Sequence, residues 1–105
     1  MQTSDARLKT DIMPSDLGLD FILALEPVRY RWREGKDEVI QYGLLAQQVL
    51  ATAQALGVQQ FGGHVLVDPE DANSQQALRY SSFISPLIAA VQALEARVKK
   101  LESGL

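Results

Sequence analysis

The clearest hydrophobic pattern lies near the C-terminus, where apolar residues recur at alternating intervals of three and four. They are Ile84, Leu87, Val91, Leu94, Val98, Leu101 and Leu105. This heptad seam, mostly β-branched at one position and leucine at the other, predicts a helix over residues 81–105 that forms a parallel coiled coil. We expect the first half of this helix to belong to the domain core and the second half to project. The alternative is one amphipathic helix packed on its own domain.

Earlier in the chain, a helical pattern is followed by an alternating one. Leu17, Phe21 and Leu25 fall on one helical face, with Ser15 as the expected N-cap and Pro27 after the end. Residues 28–32 (VRYRW) alternate, which predicts a half-buried strand with its arginines on the solvent side. After a polar turn over residues 34–37, residues 39–42 return as the partner strand of a β-hairpin.

The middle of the chain predicts a second helix and a second hairpin. The helix runs from Gly43 to about Leu56, with Gly57 as its stop and with Leu45, Val49 and Leu56 on its buried side. Residues 58–61 and 64–67 are predicted to pair across two glycines, followed by a polar loop over 68–73 and an extended piece over 78–80. Ser81 or Ser82 is the expected cap of the last helix. The fold class is α+β, mainly α, with short antiparallel hairpins.

Composition narrows the possible functions. A chain of 105 residues is one domain, here divided into an arm (1–12), a globular part (13–80) and the last helix (81–105). A net charge of −3 gives no reason to expect nucleic acid, and no stretch is long and apolar enough to predict a membrane span or signal region. With no cysteine and a single histidine, His64, we expect no metal or cofactor. Asp68, Glu70 and Asp71 lack the EF-hand spacing and predict a solvated loop.

Two residues near the N-terminus suggest chemistry. Ser4 and Lys9 stand five positions apart in the sequence SDARLKTDI, residues 4–12. A serine hydroxyl becomes a nucleophile when a base lies within hydrogen-bond reach, and a neutral lysine amine can be that base. This spacing is common, and on these residues alone a solvated arm with Ser4 as a turn or cap residue is favoured.

Three blocks in order resemble one family, the intramolecular chaperone auto-processing domain. Residues 4–12 are similar to its S-D-x-R-x-K-x-x-I motif. The second block is LEPVRYRW (25–32) followed by YGLLAQQV (42–49), and the third is LRYS (78–81) leading into LIAAVQAL (87–94). This family comprises self-cleaving C-terminal domains of phage tailspikes, endosialidases, tail fibres and neck appendages, with a related domain in the myelin regulatory factor family.

The resemblance implies a homotrimeric chaperone that helps an upstream fibrous or β-helical part of the same polypeptide to fold and then cuts itself off. Ser4 would be the nucleophile and Lys9 its general base in a single-turnover serine peptidase that acts on no other protein. Asp5 and Arg7 would support them, and Thr3, Ser4 and Asp5 would form the cleavage site. The trimer interface would be formed by Ile84, Leu87, Val91, Leu94, Val98 and Leu101. The precursor would assemble in the host cytoplasm, and the released domain would not belong to the mature fibre.

Several alternatives stay open. Attack of the Ser4 hydroxyl on the Thr3 carbonyl closes a five-membered ring, so we favour the Thr3–Ser4 bond; a cut after Ser4 would need an attacking group from elsewhere. β-branched residues at one seam position favour a coiled coil of two chains, whereas the resemblance implies three chains, which we expect.

Because three residues precede Ser4, we expect an excised domain or a retained uncut junction. The main alternative function is a trimerisation clamp that is not cleaved; a coiled-coil adaptor would need a recognition patch.

Overall fold

A computed structural model describes residues 1–35 and 38–104. It contains three α-helices, two two-stranded antiparallel sheets and two short 3₁₀ turns, so the predicted α+β class with short hairpins is confirmed. In chain order the elements are a 3₁₀ turn (Ala6–Leu8), α1 (Leu19–Ala24), β1 (Val28–Tyr30), β2 (Gln41–Gly43), α2 (Ala46–Ala55), β3 (His64–Leu66), β4 (Gln76–Leu78), a 3₁₀ turn (Tyr80–Phe83) and α3 (Ile84–Ser103).

Helix α1 begins three residues later than the sequence predicts. The side chain of Ser15 bonds the backbone of Leu17, accepting from its N–H at 3.3 Å and donating to its carbonyl at 2.7 Å, so it does not cap the helix. Gly18 is the N-cap instead. The helix ends before Pro27, as predicted, because Leu25 already has extended backbone angles.

The first predicted hairpin is present but shorter. β1 pairs with β2 in antiparallel register, with Val28 opposite Gly43 and Tyr30 opposite Gln41. Trp32 lies beyond the strand, 66% exposed, and packs edge-on against the Tyr30 ring with the centroids 5.1 Å apart. Within the predicted 34–37 turn, Lys36 and Asp37 lie outside the described residues.

The second hairpin was predicted with the wrong partner strand. Residues 58–61 form no strand, because Phe61 turns into the core and its carbonyl accepts a hydrogen bond from the His64 N–H at 2.9 Å. β3 pairs with β4 instead, with His64 opposite Leu78. The polar loop predicted over 68–73 is present and connects these two strands.

Helix α2 begins after Leu45 rather than at Gly43, which belongs to β2. Its buried side chains are Val49 and Ala53, whereas Leu45 and Leu56, which were predicted to be buried, are exposed. The predicted end is correct, because Gly57 has a φ of 89° that favours glycine.

Three phenylalanines form the centre of the core. Phe21, Phe61 and Phe83 come from different parts of the chain, and their ring centroids lie 5.3 to 6.0 Å apart. Two of the three pairs are edge-on, an arrangement that aromatic rings favour. Leu17, Val49 and Ala53 complete the buried cluster, with Ile22 and Leu25 partly buried against it.

Helix α3 packs on the domain through small residues rather than through its seam. Pro86 and Ala90 are buried, and Gly18 lies against Ala89 where α1 and α3 meet. Neither Ser81 nor Ser82 caps the helix, because both belong to the preceding 3₁₀ turn and the N-cap is Phe83, whose side chain makes no capping bond.

The seam residues are exposed along the whole described helix. Their exposed fractions range from 44% to 73% for Ile84, Leu87, Val91, Leu94, Val98 and Leu101, while Leu105 lies outside the described residues. The first half of α3 therefore docks on the domain as predicted, but it does so through the face that carries Pro86 and Ala90. The seam remains accessible to other chains.

The chain is elongated for its length. Its radius of gyration is 17.0 Å, against about 13 Å for a compact chain of this size. The principal extents are 55 × 38 × 30 Å. Across residues 1–35 and 38–104, no helix has the length and apolar character needed to cross a membrane.

Candidate functional site

The structure brings Ser4 and Lys9 together. Lys9 Nζ lies 2.8 Å from Ser4 Oγ, at hydrogen-bond distance. A proton can pass directly between a hydroxyl and an amine at this separation. The two residue types predicted for nucleophile and base therefore have the contact that such a pair requires.

A single 3₁₀ turn creates this contact. The Leu8 N–H donates to the Asp5 carbonyl at 3.0 Å, and the Lys9 N–H donates to the Ala6 carbonyl at 3.1 Å. These bonds fold the backbone back so that a long side chain at position 9 reaches position 4. An extended chain would hold the two residues well beyond that reach, because each residue adds ~3.3 Å.

Asp5 caps the turn and is paired with Arg7. Its carboxylate accepts from the Arg7 backbone N–H at 2.9 Å and from the Arg7 guanidinium at 2.7 to 3.2 Å. These bonds, first the side-chain bond and then the backbone bond, lower the pKa of Asp5. The same side-chain bond raises the pKa of Arg7. Asp5 thus neutralises Arg7, and among the described residues no hydrogen bond or ion pair joins it to Lys9.

The backbone changes direction just after this pair. Asp11 has a φ of 53°, the one positive value among the described non-glycine residues. This left-handed conformation is uncommon, and aspartate tolerates it better than most residues do. It lies between the turn that carries Lys9 and the segment that leads into α1, so it sets the direction in which the arm leaves the domain.

The pair is open to solvent in the single chain. Ser4 and Lys9 are both exposed, and the turn between them contacts no other described helix or strand. The described part of the chain places no third side chain in hydrogen-bond contact with either residue. The arm therefore supplies a nucleophile and a base. Within the described part of a single chain, no further side chains enclose them as an active site would.

An apolar groove of about 720 Å³ lies on the body of the domain. Ile22 of α1, Val28 of β1 and Tyr42 of β2 line it, together with Phe83 and the seam residue Leu87. No pattern in the sequence indicated this groove. Its lining comes from three separated stretches of the chain, residues 22–29, 42–44 and 80–87, and no local pattern links them.

The charged residues that could suggest metal binding have structural partners. His64 Nε2 lies 2.7 Å from Gln76 Oε1 across the β3–β4 pair. Asp68 accepts from the Glu70 N–H at 3.0 Å, a bond that stabilises the loop turn. Within the described ranges, no group of three or more acidic or histidine side chains could hold a metal ion.

Comparison with known families gives a match over the segment that contains this pair. Residues 4–58, just over half of the chain, match the family described as chaperone of endosialidase, whose name classes it with peptidases. The chain belongs to this family. Searches of curated proteins and of solved structures returned no match. Family membership supports a chaperone role and a peptidase-related activity, and it confirms the predicted resemblance.

Proposed function

We propose that this chain is a C-terminal intramolecular chaperone that trimerises, assists the folding of an upstream fibrous or β-helical phage tail protein, and releases itself by cleavage next to Ser4. The observation that carries the catalytic part is the 2.8 Å contact between Lys9 Nζ and Ser4 Oγ in a member of the chaperone of endosialidase family. The partners are two further copies of the chain and the upstream part of the same polypeptide.

The cleavage chemistry follows from the two side chains. Lys9, as a neutral amine, takes the proton of the Ser4 hydroxyl while Oγ attacks the carbonyl carbon of Thr3 through a five-membered ring. The tetrahedral intermediate then collapses, the C–N bond between Thr3 and Ser4 breaks, and the Lys9 ammonium returns the proton to the Ser4 nitrogen. Water hydrolyses the resulting ester, which gives a carboxylate on Thr3 and restores the Ser4 hydroxyl.

The exposed seam of α3 supports the assembly part of the proposal. A surface of regularly spaced apolar side chains over twenty helical residues is a typical coiled-coil interface. Chains held together at one end have a high effective concentration, so the upstream strands pair almost as if they were in one chain. Cleavage then removes the clamp, which makes the product kinetically stable. Assembly takes place in the host cytoplasm, and the released domain leaves the mature fibre.

A non-catalytic clamp is the second candidate function. The observation in its favour is that Ser4 and Lys9 are exposed and lack a third partner among the described residues. A solvated lysine holds its proton and is a poor base. The seam alone would be enough for a domain that only trimerises.

Intact mass of this domain joined to its native upstream segment separates the two functions. We expect the wild-type chain to split at Ser4, and the Ser4→Ala and Lys9→Ala variants to stay whole as trimers. The fragment masses identify the broken bond, because cuts before and after Ser4 differ by one serine residue. A wild-type chain that stays whole while it runs as a trimer would leave the clamp as the function.

A further inference from the structure

The arm that carries the reactive pair displays apolar side chains with nothing to cover them in the single chain. Leu8 is 75% exposed, Ile12 69%, and Met13, just after the arm, 79%. Three large apolar side chains in and beside so short a segment cost free energy in water, at roughly 25 cal/mol for each Å² left uncovered. The turn that carries Leu8 contacts no other described element, and the exposed fractions at positions 12 and 13 show that the domain does not bury these side chains either.

The apolar groove has the complementary character. Its walls are almost entirely apolar, and Tyr42 at its edge is 77% exposed. Arg29 is the one charged residue among the described residues that line it, and it forms no ion pair within the described part of the chain. The arm carries Asp11 next to Ile12, so an acidic group accompanies the apolar one. Arm and groove therefore match in both polarity and charge.

The groove is continuous with the seam, because Leu87 belongs to both. Gly18 lies against Ala89, so the segment that follows the arm meets α3 only about 3 Å along the helix axis from the level of Leu87. In a parallel assembly the same residues of all copies stand at the same height, with helix axes ~8–10 Å apart. The four residue steps from Met13 to Leu17 span up to ~14 Å, which exceeds the separation of neighbouring helix axes.

We propose that the apolar groove of each copy binds the N-terminal arm of a neighbouring copy, with Ile12 and Met13 in the groove and Asp11 paired with Arg29. This inference rests on the proposed trimer. It places Ser4 and Lys9 against a second chain, so the partner supplies the surroundings that one chain lacks. Apolar walls and a nearby guanidinium both favour a neutral amine over an ammonium ion, which is the form of Lys9 that acts as a base.

Disulfide trapping tests the contact directly, because the chain contains no cysteine of its own. Chains carrying Ile12→Cys are mixed with chains carrying Tyr42→Cys, both in a Ser4→Ala background, and are oxidised mildly. Both positions are exposed, so the substitutions leave the core unchanged. We expect rapid cross-links between the two chains. The matched control pairs Ile12→Cys with Leu23→Cys, an exposed position of α1 outside the groove lining, and we expect it to cross-link at least tenfold more slowly.

Native mass of the same samples separates failure of this inference from failure of the proposed function. A trimer without preferential cross-linking to position 42 overturns the arm contact alone, and a monomer overturns the trimer and the arm contact together. A chain carrying both cysteines that closes a disulfide within itself would place the arm in its own groove, and would also overturn the proposal.

A charge exchange tests the ion pair through cleavage. In the chain joined to its upstream segment, Asp11→Arg and Arg29→Asp should each slow cleavage by about fivefold, the effect of losing an exposed ion pair. The double variant Asp11→Arg with Arg29→Asp should recover most of the rate. Single variants that cleave at the wild-type rate, or a double variant no faster than either single one, would overturn the pairing.

Discussion

The guanidinium of Arg7 binds both carboxylate oxygens of Asp5, and this pairing leaves Lys9 free to contact Ser4. All three side chains belong to one short turn, so the carboxylate could otherwise pair with either cation. A lysine paired with a carboxylate is held as an ammonium ion, which cannot accept a proton. The arrangement of four neighbouring polar residues therefore decides whether a base is available.

Removal of Arg7 should slow self-cleavage. In Arg7→Ala the Asp5 carboxylate loses its guanidinium partner and can pair with Lys9, which favours the protonated amine. The double variant Arg7→Ala with Asp5→Asn should recover much of the rate, because the amide oxygen can still accept the backbone bond at the turn but carries no charge. Cleavage of the chain joined to its upstream segment, followed by mass, measures all three rates.

An exposed arginine elsewhere provides the control. Arg33→Ala removes the same charge far from the arm in sequence and should leave the rate unchanged. If the double variant cleaves no faster than Arg7→Ala, then Arg7 acts through the shape of the turn and not by occupying Asp5.

The Asp5 carboxyl group should titrate below its ordinary value. Its pKa is lowered from 3.8 by the Arg7 side chain and then by the Arg7 backbone N–H. A lowered folded-state pKa means that these bonds stabilise the turn above about pH 3.8 and are lost as the pH falls through the folded-state pKa. The turn should therefore keep its shape at neutral pH and open only in acid.

The carboxyl carbon chemical shift of Asp5, followed by NMR against pH, measures this pKa. We expect a midpoint below 3.8 in the Ser4→Ala chain and a return toward 3.8 in the variant that also carries Arg7→Ala. Equal midpoints with and without Arg7 would contradict the pairing in solution.

The sequence predicted those elements that have a repeating pattern. The helical face with Leu17 and Phe21, the alternation that starts at Val28 and the seam of α3 each repeat their own spacing over several positions. The β3–β4 pairing could not be found in this way, because the two strands are separated by the polar loop and no sequence pattern links them. Phe61 is a single inward residue in an irregular segment, so no period marks it as part of the core.

The candidate site, too, could be predicted only in part from the sequence. The spacing of Ser4 and Lys9 is visible in the sequence, but their contact depends on a 3₁₀ turn that only three residues form. The sequence does not show that Asp5 pairs with Arg7, because a carboxylate near two cations can pair with either of them. The docking of α3 through Pro86 and Ala90 was not predicted, because the larger side chains of the seam dominate the hydrophobic pattern. Small residues nevertheless make good contact positions, since they allow closer packing.

Two adjacent glycines should differ sharply in their tolerance of alanine. A Cβ on Gly63 would lie 2.5 to 2.6 Å from the Phe61 ring and 2.9 Å from Ser82 Cβ. The ring cannot move aside, because it packs against Phe21 and Phe83. We expect Gly63→Ala to lower the free energy of unfolding by about 1–3 kcal/mol, the usual cost of overpacking. Urea denaturation at one protein concentration measures it.

Gly62→Ala is the matched control for that change. A Cβ at Gly62 meets nothing within 4 Å, and its φ is not in the left-handed region. Its free energy of unfolding should stay within about 0.5 kcal/mol of the wild-type value. Equal losses at both positions would show that backbone conformation, and not contact with Phe61, limits the second glycine.

The seam of α3 should control assembly and, through it, cleavage. Val91 is 64% exposed in the single chain, so Val91→Glu should leave the fold of one chain intact, yet in a trimer it would bury three like charges at one level of the coil. We expect this variant to run as a monomer and to cleave far more slowly, because the arm then has no neighbouring groove.

Gln92→Glu is the control. It adds the same charge one residue away from the seam, and this variant should still trimerise and cleave. Sedimentation and intact mass on the same samples report assembly and cleavage. A monomeric Val91→Glu that cleaves at the wild-type rate would mean that Ser4 and Lys9 work within one chain, and the exposed turn would then be a complete catalytic unit.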